Sequence, residues 1–126
     1  MAGSIEQRAI AAVKGLAVAR SEVERLTKEI GKALAWCKGA NGRIHTNEGD
    51  ITHLKHAYTP EMPDGAHGEY DYLDNEEIHE YLSETCPHCL KAHQLVRQRR
   101  IARQAHGRAK AAVTKLGREL MKGTPC

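Results

Sequence analysis

From Ile5 onward the apolar residues recur at alternating spacings of four and three: Ile5, Ala9, Ala12, Leu16, Ala19, Val23, Leu26, Ile30, Ala33 and Cys37. A spacing sustained over more than four heptads keeps one side of an α-helix apolar and leaves the chain few alternatives to a long helix packed along that seam. Ser4 and Gln7 form a capping pair ahead of the seam, and Gly39 and Gly42 supply a stop, so the spacing predicts a helix over 4–38. Pro87 suits a first helical position, and Gly123 and Pro125 suit an end, so a second helix of nearly equal length is expected over 87–122. Its apolar stripe is read as Leu95, Gln98, Ala102, Ala105, Ala109, Ala112, Val113, Leu116 and Leu120.

Two matched helices joined by a compact segment imply an all-α fold: a long antiparallel helical hairpin with a small irregular head, in a single domain over 1–126. Composition agrees, because one Trp, four Tyr and no Phe leave Ala, Leu, Ile and Val to fill the interior. Such side chains suit close helix packing better than a sheet sandwich. The head, 39–85, holds five glycines together with Pro60 and Pro63 and is expected to be irregular, apart from a short helix near 75–83 begun by an Asp74–Glu77 capping pair. A lone hairpin leaves apolar surface uncovered, so a homodimer or a stable protein partner is expected. No apolar run reaches the length of a membrane span, and 1–12 lacks the basic head and apolar stretch of a signal peptide. A cytoplasmic protein with reduced thiols is the corresponding expectation.

Cys86-Pro87-His88-Cys89 carries the sharpest chemical signal. Two thiolates separated by two residues at a helix start can share one tetrahedral ion, and antiparallel helices bring Cys37 beside them. The fourth ligand is expected to be His93, one turn beyond Cys89, or His45 in the loop after Cys37, with His53 and His56 as weaker candidates. Zinc is the expected cofactor, in a structural role that staples the head. The four residues also resemble the active-site motif of periplasmic disulfide oxidoreductases. That resemblance implies a preceding strand and a later facing cis-proline, whereas here the preceding 74–85 reads as a capped helix and the only later proline is Pro125.

The segment comprising Cys86, Cys89, Ala92, Arg99 to Arg103, Gly107, Lys110, Gly117 and Arg118 resembles the C-terminal part of small proteins encoded by bacteriophages and prophages, in which CxxC leads into a basic helix with spaced glycines. The resemblance covers about a third of the chain. It implies an accessory protein that acts by binding, against a host process, and it supplies no catalytic residues.

Charge is unevenly placed: the balance is +2 over 1–36, −8 over 37–85 and +9 over 86–126. Arg97, Arg100, Arg108, Lys115, Arg118 and Lys122 share one helical face, with Arg99, Arg103 and Lys110 beside it. This face is either a solvated surface, partly paired with the acidic head or with Glu22, Glu24 and Glu29, or a nucleic-acid-binding surface. Tyr70, Tyr72 and Tyr81, interleaved with acids in the head, are expected either to dock a protein partner or to build the head's own core. Catalysis has little support, since there is no phosphate loop, nucleophile elbow or HExxH pair. His45, His53 and His56 near Asp50 leave a metal-dependent nuclease as a third reading. The leading expectation is a non-enzymatic, zinc-stabilised helical interaction protein, with a nucleic-acid-binding regulator as the alternative.

Overall fold

The computed structural model describes residues 4–39, 45–46, 49–59 and 72–122. In chain order they form α1 (Ile5–Ala35), β1 (His45–Thr46), β2 (Gly49–Asp50), α2 (His53–Tyr58), α3 (Asn75–Thr85) and α4 (Pro87–Lys122). The fold is all-α, with α1 and α4 pairing as a hairpin; β1 and β2 contribute only a two-residue antiparallel ladder, His45 opposite Asp50.

The helix ends follow from local chemistry. The Ser4 hydroxyl accepts the Gln7 amide and the Gln7 side chain accepts the Ser4 amide, both at 3.2 Å, which satisfies two donors left over at a helix start. Asp74 and Glu77 make the same reciprocal pair ahead of α3, which continues two residues beyond the expected end. α1 stops three residues earlier than the spacing predicts. Trp36 and Cys37 bond back to Ala33 and Leu34, three residues behind them, and Gly39 takes a positive φ of 86° that only glycine adopts cheaply. Cys37 therefore sits just past the helix rather than in its last turn.

The chain divides into two compact units. The first comprises 1–27 and 97–126. Here α1 and α4 run antiparallel: Arg8 pairs with Glu119 at 3.7 Å, and Arg99 donates to the Thr27 hydroxyl at 3.4 Å. Every seam position of α1 is buried or half-buried, yet among the described residues of this unit only Leu26 and Ala102 are buried, because two helices alone cannot enclose a core. The stripe of α4 is rotated from its expected place. Gln98 and Ala112 are exposed, and Arg99 and His106 are half-buried instead, Arg99 laying its stem beside α1 to reach Thr27.

The second unit, 28–96, has a denser interior. Ile30 and Ala33 of α1, Leu54 and Ala57 of α2, Ile78 and Leu82 of α3, and Cys86, Cys89 and Ala92 around the start of α4 form one buried cluster. α2 was not foreseen. It is too short to show a helical period, although Thr52 caps it by accepting the Lys55 amide at 3.1 Å and Leu54 and Ala57 lie one turn apart, facing inward.

Two substitutions with opposite effects test this description by thermal unfolding. Leu82→Ala removes a fully buried side chain and should cost about 2–5 kcal/mol. Gly15→Ala adds a methyl group where nothing lies within 4 Å and should raise stability by about 0.5–1 kcal/mol.

Candidate metal centre

Three sulfurs and one imidazole converge in the second unit. Cys37, His53, Cys86 and Cys89 offer ligand atoms that all lie within 4.8 Å of one another. Tetrahedral zinc, with bonds of about 2.3 Å to sulfur and about 2.0 Å to nitrogen, separates its ligand atoms by roughly 3.5–3.8 Å, so small side-chain adjustments close the set. Cys37 Sγ already lies 3.2 Å from His53 Nδ1. These four residues can bind a metal ion.

Each ligand is placed by a different part of the fold. Cys37 follows the tightened end of α1, and His53 is the first residue of α2. Cys86 links α3 to α4, with its amide bonded to the Leu82 carbonyl at 2.9 Å, and Cys89 lies in the first turn of α4. Cys86 and Cys89 are buried; Cys37 and His53 are half-buried. A helix, α3, precedes the CxxC, and no described peptide bond is cis, so the strand and cis-proline of a disulfide oxidoreductase are not found among the described residues. The cysteines are free thiols, with no disulfide among them.

Backbone amides are aimed at the sulfurs. Gly39 donates to Cys37 Sγ at 3.3 Å and Cys89 donates to Cys86 Sγ at 3.4 Å. The His53 amide also bonds Cys37, and the Leu54 amide bonds Cys89. Sulfur accepts hydrogen bonds better as thiolate than as thiol, so this arrangement favours the form that binds metal. Burial opposes ionisation of Cys37, but the hydrogen bonds from His53, Gly39 and Cys89 outweigh it and bring the thiol down to about 6. Burial, and then the neighbouring Cys37, push Cys89 up to about 12. One member of the cluster thus ionises readily while another resists a second negative charge beside it.

Cys37, Cys86 and Cys89 come together as the antiparallel reading required. His93, expected as a fourth ligand, is not in the cluster: it is buried, and its Nδ1 meets the Tyr58 hydroxyl at 2.7 Å. His53, ranked as a weaker candidate, takes the fourth place because α2 presents it to Cys37. The side chain of His45 lies outside the described residues, although its backbone pairs with Asp50. His53 is turned toward the Cys37 sulfur and the His56 ring packs near Tyr81 at 5.6 Å, while the side chain of Asp50 lies outside the described residues. Of the three tyrosines, Tyr70 lies outside the described residues, Tyr72 is exposed, and Tyr81 is half-buried against the core cluster. Tyr81 thus contributes to the head's own core while remaining partly exposed. On the surface beside the cysteines, Trp36 stacks on His88 at 6.3 Å.

Comparisons with known protein families, curated proteins and solved structures return no match. No described helix is long and apolar enough to cross a membrane.

Alkylation of the metal-free chain separates the thiols. At pH 7.5 Cys37 lies above its pKa and is half-exposed, whereas Cys89 lies far below its own and is buried, so Cys37 should be modified at least tenfold faster. Peptide mapping by mass spectrometry distinguishes them, and equal rates would contradict the geometry.

Proposed function

We propose that the chain is a non-enzymatic helical interaction protein whose second unit is stapled by one structural zinc ion. Three thiolates and an imidazole suit zinc among the common divalent metals, and four protein ligands complete a tetrahedron with no position left for water or substrate. The closed donor set supports a structural role over a catalytic one.

The interaction role rests on the uncovered apolar surface of the first unit. Ile10 and Val13 of α1 are 57% and 56% exposed, and with Ala17 they form a stripe at helical spacing beside the buried seam. Val13 and Ala17 also line, with Leu16, an open groove whose rim is polar: Arg20, Ser21, Glu24, His106 and Lys110. Apolar surface of this kind on an isolated hairpin is characteristic of a face that another macromolecule covers. A second copy of this chain is the partner taken first, and a host-encoded protein is the partner class that the phage resemblance implies.

Purified protein should contain one zinc per chain by elemental mass spectrometry, and chelation should collapse its melt. Cys86→Ser should lose the metal, whereas His93→Gln should keep it, since His93 serves Tyr58 rather than the cluster. A metal-free preparation with an unchanged melt would remove the staple. Sedimentation should give twice the 14.0 kDa chain mass, falling to one chain in Ile10→Asp/Val13→Asp with helix content retained. A monomeric wild type would rule out self-association and leave a foreign partner for this face.

A further inference from the structure

α4 presents its cations on the side turned away from α1. Arg97, Arg100, Arg108, Lys115, Arg118 and Lys122 fall within an arc of about 80° at 100° per residue, opposite the apolar stripe, and all six are exposed. They extend over about 37 Å of helix, close to one turn of a nucleic-acid duplex.

The three α1 acids expected to neutralise this face are engaged elsewhere. Glu22 pairs with Arg25 at 2.6 Å, Glu24 with Arg20 at 3.3 Å and Glu29 with Lys32 at 3.4 Å, each within α1. The only carboxylate of α4, Glu119, is turned to Arg8. Among the described residues none of the six cations has an acidic partner. The unit that carries them has thirteen Lys and Arg against four Asp and Glu, a balance of +9.

We propose that this face of α4 follows the phosphate backbone of duplex nucleic acid, largely without reading sequence. A membrane surface is disfavoured because the apolar stripe that would have to enter it is packed on α1. Unpaired strands are disfavoured because the basic arc of α4, over 97–122, contains no Phe, Tyr, Trp or His on which bases could stack. Gln104 is the one amide side chain inside the basic arc, which leaves little capacity for base readout. This surface is separate from the Ile10 and Val13 stripe, so it extends the interaction reading without depending on the dimer.

The test is a fluorescence-anisotropy titration of the zinc-loaded full chain against a labelled mixed-sequence DNA duplex of about 30 base pairs. Five or six phosphate contacts should give a log–log salt slope near −5 and a loss of about a thousandfold in affinity between about 50 and 200 mM salt. A second duplex of unrelated sequence should bind within about threefold. Arg97→Gln/Arg108→Gln/Lys115→Gln should weaken binding at least tenfold at the lower salt and flatten the slope by about three, with far-UV circular dichroism unchanged. The charge-matched Lys14→Gln/Lys28→Gln/Lys32→Gln variant should change affinity less than threefold. No duplex binding at about 50 mM salt, equal losses in both triple variants, or capture by phosphatidylserine vesicles in place of the duplex would each overturn the proposal.

Discussion

The second unit depends on the convergence of three sulfurs and one imidazole. Among the described residues, the fully buried part of its cluster has four large aliphatic side chains, Ile30, Leu54, Ile78 and Leu82, and the rest of that part is alanine and cysteine. Such a core is thin against the cost of ordering the backbone, about 1–2 kcal/mol per residue. Structural zinc contributes about 10–16 kcal/mol in small peptides, as much as the entire net stability of a typical domain. Under the zinc reading, the metal rather than apolar burial fixes where α1 ends, where α2 begins and how α3 hands over to α4.

Charge is partitioned along the same lines as the units. The second unit has six Lys and Arg against twelve Asp and Glu, while the first is strongly basic. Three of the four acids of α1, Glu22, Glu24 and Glu29, pair with neighbours three or four residues away, exposed contacts that add little to stability. Their larger consequence is that they do not reach α4. A helix with one carboxylate in 36 residues, packed on a helix three of whose four acids are internally paired, keeps its positive field directed outward.

Periodicity and caps were legible because they are local. The nine seam positions within α1, and Cys37 just past it, are at least half-buried, the Ser4 and Asp74 capping pairs form as read, and α4 begins at Pro87. The three cysteines follow from the antiparallel pairing alone. The fourth ligand does not, because it depends on α2, six residues whose burial comes from tertiary contacts. His93 lies one turn after Cys89 and satisfies the helical wheel, yet Tyr58 of α2 occupies its Nδ1, and the same short helix delivers His53 to Cys37. One unread element therefore changes both assignments. The rotation of the α4 stripe toward Arg99 escaped for a related reason: a wheel ranks Arg as polar, while its long stem packs well beside an apolar seam.

α2 shows why the cluster and the fold cannot be separated. An isolated helix of six residues is unstable in water, and its first amides have no carbonyl partners within the helix. Here those donors are accounted for in order: His53 bonds the Cys37 sulfur, Leu54 bonds the Cys89 sulfur, and Lys55 bonds the Thr52 hydroxyl. The next amide, His56, reaches the Thr52 carbonyl and begins the ordinary ladder. The sulfurs thus cap α2 and are at the same time the candidate metal ligands. Deleting Cys89 to alanine leaves the Leu54 amide without its acceptor at a buried position, a penalty of about 1–3 kcal/mol before any metal is considered. Serine retains an oxygen acceptor there while lacking the thiolate. The gap between the two substitutions in metal-free protein measures the capping role, and the additional loss in zinc-loaded protein measures the metal.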